Sequence, residues 1–169
     1  PLFATCANRY RAKNTEARDH LSLAKELLTQ AQDQDQDRVL IAWSEHDYRE
    51  MCPVLEGAPK LAAVLEERYR NALHTAKRLW RRAYSEKPES GTLAFFAQQS
   101  GYAIPEKYGT NLVGDGLRLI RGQLEQGRMY PELTDAATKA WVTIVKHNRH
   151  DLLSMRHVLK WLHETAPTG

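Results

Sequence analysis

Apolar positions recur at helical spacing along most of the chain. From Thr15 to Gln32, the residues Leu21, Ala24, Leu27, Leu28 and Ala31 fall on one stripe, which predicts an amphipathic helix. Asn14 is placed to cap that helix, and Glu16 suits its first turn. Gln32–Asp37, reading QDQDQD, has no apolar residue and predicts a solvated loop. The period then changes. Val39–Trp43 is a short continuous apolar run after polar residues, which predicts a strand buried on both faces. Ser44 and Asp47 have the spacing of a capping box, so a short helix is expected from Glu45 to about Cys52, ended by Pro53.

A long helix is predicted from Ala58 to Ser85, with Leu61, Leu65, Ala72, Ala76, Leu79 and Ala83 as its core stripe. Lys87–Gly91 predicts a loop, Thr92–Ser100 a short helix ended by Gly101, and Gly116–Gln126 another helix after a connection over Tyr102–Gly114. The last helix is expected over Thr134–Glu164, with an apolar seam of Trp141, Val145, Leu152, Met155, Leu159 and Leu162. Asn148 falls on that seam and would need a polar partner there. No internal repeat or linker divides the sequence, so residues 1–169 are expected to form one domain.

A strand buried on both faces needs neighbours, and the only other strand candidate is Leu2–Ala7. Two strands alone are marginal. The chain begins at Pro1, and the expectation is that upstream sequence completes the sheet; the alternatives are that another chain does so, or that Val39–Trp43 is not a central strand.

Composition narrows the classes. The chain is 42% hydrophobic and 27% charged over 169 residues, which excludes disordered, collagen-like and disulfide-scaffold proteins. Apolar runs are too short for a membrane span, and no secretory leader pattern is visible. A net charge of +3 does not by itself predict nucleic-acid binding. Cys6 and Cys52 lack metal-ligand spacing, and a reducing cytoplasm is the simplest setting. No Cys/His spacing supports zinc, so His46, His150 and His157 read as surface or supporting residues.

Two segments carry candidate chemistry. His147 and Asp151 are four apart on the last helix and share a face. An ordinary surface ion pair is the alternative. Asp47 lies just past the C-terminal end of the Val39–Trp43 strand, where open α/β sheets place their ligands. Helix capping is its alternative. Between Arg68 and Ser85 the helix carries Arg70, Lys77, Arg78, Arg81 and Arg82 with no acid, a face that suits a phosphate backbone. Trp80 and Tyr84 lie near it as base-stacking candidates, and a solvated face with Trp80 in the core is the other reading.

Taken in order, these segments resemble the later part of a ribonuclease-H-like 3′–5′ exonuclease domain of the DEDD type. The likeness is to the predicted nucleases whose last motif reads tyrosine-asparagine-x-x-aspartate. Here that motif stands as HNRHD, His147–Asp151, followed by LLSMRHVLKWL. VLIAWSEHD, ending at Asp47, resembles the group's second motif, and TLAFFAQQSGYAIP resembles the stretch between the two. The resemblance implies an α/β, ribonuclease-H-like fold, incomplete here and predominantly helical, with one or two strands. It implies phosphodiester hydrolysis of DNA or RNA, acting on single-stranded 3′ ends. Four carboxylates would hold two Mg²⁺ or Mn²⁺ ions. Asp47 matches the third carboxylate and Asp151 the fourth, and His147 stands at the position that orients or deprotonates water. The first motif, a D-x-E strand, has no match in the chain. The expectation is therefore a C-terminal portion that hydrolyses phosphodiesters only with upstream sequence. The alternative is an inactive domain of the same fold that binds nucleic acid or protein.

Overall fold

The computed structural model describes residues 20–32, 38–105, 108 and 111–166. The predicted strand Leu2–Ala7, the Asn14 cap and most of the Gln32–Asp37 loop lie outside them. Among the described residues the protein is predominantly helical, with one two-stranded parallel sheet. They fall into two compact units, residues 92–158 and residues 20–91 with 159–166.

The second of these units begins with α1 (His20–Ala31), whose inward residues Ala24, Leu28 and Ala31 are buried. Strand β1 is Leu40–Ala42, and α2 (Glu45–Val54) follows directly. Ser44 caps α2, its hydroxyl accepting from the His46 N–H at 3.3 Å, and the helix runs one residue past Pro53. Next come α3 (Pro59–Arg68), strand β2 (Tyr69–Asn71) and α4 (Ala72–Tyr84). Ala24 and Leu28 of α1 pack with Leu55, Val64 and Leu65 to form the core.

The single long helix predicted over Ala58–Ser85 is therefore two helices separated by a strand. Tyr69–Asn71 extends because its backbone pairs in parallel with β1, Leu40 opposite Tyr69 and Ala42 opposite Asn71. The Asn71 side chain then accepts the His74 N–H at 3.1 Å and starts α4 afresh. Neither glycine nor proline marks this break.

The expectation of a strand buried on both faces is also corrected. Leu40 and Ala42 are half-buried, while Ile41 between them is 45% exposed. Among the described residues the sheet has only these two strands. Trp80 settles into the core and does not present an open stacking surface. Its ring lies 4.5 Å from that of Tyr84 and 6.1 Å from that of Trp161.

In residues 92–158, Thr92 caps α5 (Leu93–Gln99) by accepting the Phe95 N–H, and Gly101 ends it at φ +76°. Helix α6 (Asn111–Glu125) starts earlier than the expected Gly116. At Gly116 the neighbouring helix packs tightly on α6: a Cβ there would meet Ile144 Cδ1 at 3.2 Å and Ala140 Cβ at 3.3 Å. Helix α7 (Asp135–Thr165) begins where the Thr134 hydroxyl accepts the Ala137 N–H. Ile120, Leu124, Leu133, Ala137 and Ile144 form this unit's core.

The apolar seam expected on α7 is corrected as well. Val145 and Leu152 are 41% and 63% exposed. The buried stripe is instead Ala137, Ile144, His147, Ser154, Val158 and Leu162, so its middle is polar. Asn148 is exposed and needs no buried partner.

Candidate functional site

The polar middle of the α7 stripe is the chemical centre of residues 92–158. His147 and Asp151 stand one turn apart, with Nε2 to Oδ2 at 3.2 Å. His147 is buried, and Asp151 is half-buried. The other ring nitrogen, Nδ1, lies 2.6 Å from the carbonyl oxygen of Tyr108. A carbonyl only accepts, so Nδ1 carries the proton. A hydrogen bond between Nε2 and the carboxylate then needs a further proton, held on Nε2 or on Asp151. Burial pushes the Asp151 carboxyl above the usual carboxylate range, and His147 and His150 pull it partly back.

Aromatic and imidazole rings pack together along the same stretch of α7. The Tyr108 ring stacks on His150 with centroids 5.3 Å apart, and the Tyr102 hydroxyl meets His150 Nδ1 at 3.1 Å. Tyr102 also packs on His157, whose Nε2–H donates to the Ser100 carbonyl. Ser154, fully buried, donates its hydroxyl to the Asp151 carbonyl at 2.9 Å. His150 and His157 thus tie the segment after α5 to α7. Sequence reading missed Tyr108. Its contribution is a backbone carbonyl, which no side-chain pattern encodes. Tyr102 was within reach as the aromatic residue after Gly101 in the stretch between the motifs.

Asp47 belongs to the other unit. It is exposed in the first turn of α2, where Ser44, and not Asp47, makes the capping bond. The Tyr69 hydroxyl donates to the Ser44 carbonyl. Burial raises the pKa of Tyr69, and the charges of Asp47 and Glu45 raise it further. Of the basic residues, Arg70 folds back to donate to the carbonyls of Glu67 and Tyr69 at 2.6 and 2.8 Å. Lys77 is half-buried, with its Nζ 3.5 Å from the position a Cβ on Gly91 would occupy. Arg78, Arg81 and Arg82 are exposed.

Among the described residues, no group of three or more His, Cys, Asp or Glu side chains is arranged to hold a metal ion. Both ring nitrogens of His147 are engaged, which leaves Asp151 as the one carboxylate ligand of its unit that the resemblance implies. No helix among these residues is long and apolar enough to cross a membrane. Comparison with protein-family models, curated proteins and solved structures returns no match.

Proposed function

We propose that this chain carries the later motifs of a ribonuclease-H-like 3′–5′ exonuclease that hydrolyses single-stranded ends of DNA or RNA in the cytoplasm. The observation that carries the reading is the His147–Asp151 pair set into the buried stripe of α7, where apolar residues would pack more cheaply. Burying a polar group without a partner costs about 1–3 kcal/mol. Here both ring nitrogens of His147 have a partner, one of them the half-exposed carboxylate of Asp151. In the proposed role the Tyr108 carbonyl fixes the imidazole, and the pair takes up or releases the proton of attacking water. Asp47 and Asp151 would be carboxylate ligands for Mg²⁺ or Mn²⁺, ions that supply charge stabilisation to phosphodiester hydrolysis. The described donors are too few to hold such ions, so this part of the proposal requires a D-x-E strand upstream of Pro1. Arg78, Arg81 and Arg82 would meet phosphates.

A second reading is an inactive domain of the same fold that binds nucleic acid. The shortage of metal donors among the described residues favours it.

Release of nucleotides from end-labelled single strands tests both. The 169-residue chain is expected to be inactive at any Mg²⁺ or Mn²⁺ concentration. A longer chain with the D-x-E strand is expected to be active. There Asp151→Asn should abolish turnover, while His147→Ala should cost about 10²–10⁴-fold. Activity that survives Asp151→Asn sinks the site. Inactivity of the longer chain selects the binding reading.

A further inference from the structure

The solvent face of α7 carries a second pattern. Positions 139, 142, 146, 149, 153 and 156 follow steps of three and four, so they line one stripe opposite the buried one. They read Lys139, Val142, Lys146, Arg149, Leu153 and Arg156, and all six are exposed. Among the described residues no carboxylate pairs with any of the four cations: Asp151 faces His147, and Glu164 pairs with Lys160. From Lys139 to Arg156 the stripe runs for about 25 Å at the helical rise of about 1.5 Å per residue.

We infer that this stripe is a docking surface for a single-stranded polynucleotide, laid along the helix that carries the His147–Asp151 pair. The inference rests on the nucleic-acid reading above and names where the strand is held. Three observations select this occupant. The stripe is cationic without local compensation, so its complement is a polyanion. The cations have no helix-terminal reason to be there. Arg81 and Arg82 sit in the last turn of α4, where they offset the negative end of the helix, but Lys146, Arg149 and Arg156 are in the middle of α7. Finally, the Lys146 Nζ lies 5.8 Å from the centroid of the Tyr108 ring, whose backbone carbonyl holds His147, so the stripe passes beside the site.

A membrane surface fits less well. An interfacial helix collects its apolar residues on one side, whereas Val142 and Leu153 are each bracketed by cations. A polynucleotide alternates charged phosphates with apolar sugar and base surfaces, which matches that interleaving.

The test is fluorescence anisotropy of a fluorescein-labelled oligothymidylate across a salt series. The wild-type chain is compared with Lys146→Gln/Arg149→Gln/Arg156→Gln and with Arg78→Gln/Arg81→Gln/Arg82→Gln. Circular dichroism confirms that each variant keeps its helix content. Each phosphate contact on a single strand contributes about 0.7 to the salt slope, so the α7 variant should lose about 2 from the slope and bind roughly ten-fold or more weakly at low salt. The α4 variant should lose less. An unchanged slope in the folded α7 variant overturns the inference, as does a wild-type chain that does not bind the oligonucleotide. Loss of binding to phosphatidylserine-containing vesicles with oligonucleotide binding intact also overturns it and assigns the stripe to lipid. Stripe-dependent binding without hydrolysis by the D-x-E-containing longer chain fails the nuclease reading alone. Hydrolysis with an unchanged slope fails the stripe alone.

Discussion

A carboxylate that is half-buried beside an imidazole works against the fold at neutral pH. The Asp151 pKa is raised by burial, so the folded chain binds this proton more tightly than the unfolded chain does. The stability it contributes is fully present below the unfolded pKa, near 4, and is lost as pH rises through the higher folded value. Asp151→Asn removes the buried charge and keeps the contact: the amide N–H can donate to Nε2 while Nδ1–H still donates to Tyr108. Thermal unfolding should therefore show the variant melting above wild type at pH 7, with the gap closing towards pH 4. A variant that melts lower at pH 7 would mean that the ion pair stabilises more than burial costs. A substitution that stabilises the fold while removing turnover from the active longer chain marks a residue kept for chemistry.

Three residues decide the element-level architecture. Tyr69–Asn71 pairs with β1, and Asn71 also caps α4. Asn71→Ala keeps the strand backbone and removes the cap, which should cost about 1 kcal/mol. A lower urea midpoint with an unchanged slope would show it, and Asn71→Asp should restore most of the loss. This junction also explains what the sequence could and could not disclose. Helices α1, α2, α5 and α7 were legible as elements from helix-spaced residues, with Ser44 before α2, Gly101 after α5 and Asp135 in the first turn of α7 as boundary signals. The α3–β2–α4 break was not, because Tyr-Arg-Asn has no strong breaker and its extension depends on a strand some thirty residues earlier. The face of α7 was misjudged for a related reason. Counting apolar residues favours Val145 and Leu152, but the inward stripe carries His147, Asp151 and Ser154. Hydrophobic periodicity locates a buried face only where that face is apolar, so it failed at the candidate site. The pairing of His147 with Asp151 survived because i and i+4 spacing depends on the helix alone.

For the whole molecule, the chain order matters as much as the contacts. One compact unit is built from residues 20–91 and closed by residues 159–166, with Trp161 within 6.2 Å of both Trp80 and Tyr84. The aromatic partner of α4 is thus made last. On a ribosome adding about 5–20 residues per second, the α4 face carrying Trp80 waits on the order of ten seconds for Trp161 to be synthesised. During that interval the Trp80 indole of an arginine-rich helix lacks one of its ring partners, and the helix is more open to proteases and to holding chaperones than in the finished fold. A chain stopped at residue 158 makes the state permanent. Trypsin should cut it between Lys77 and Arg82 well before it cuts the full chain there, with the fragments read by mass spectrometry. Equal rates would show that α4 is secured without Trp161. Faster cutting would make the last turn of α7 the step that ends a window of vulnerability in the birth of this protein.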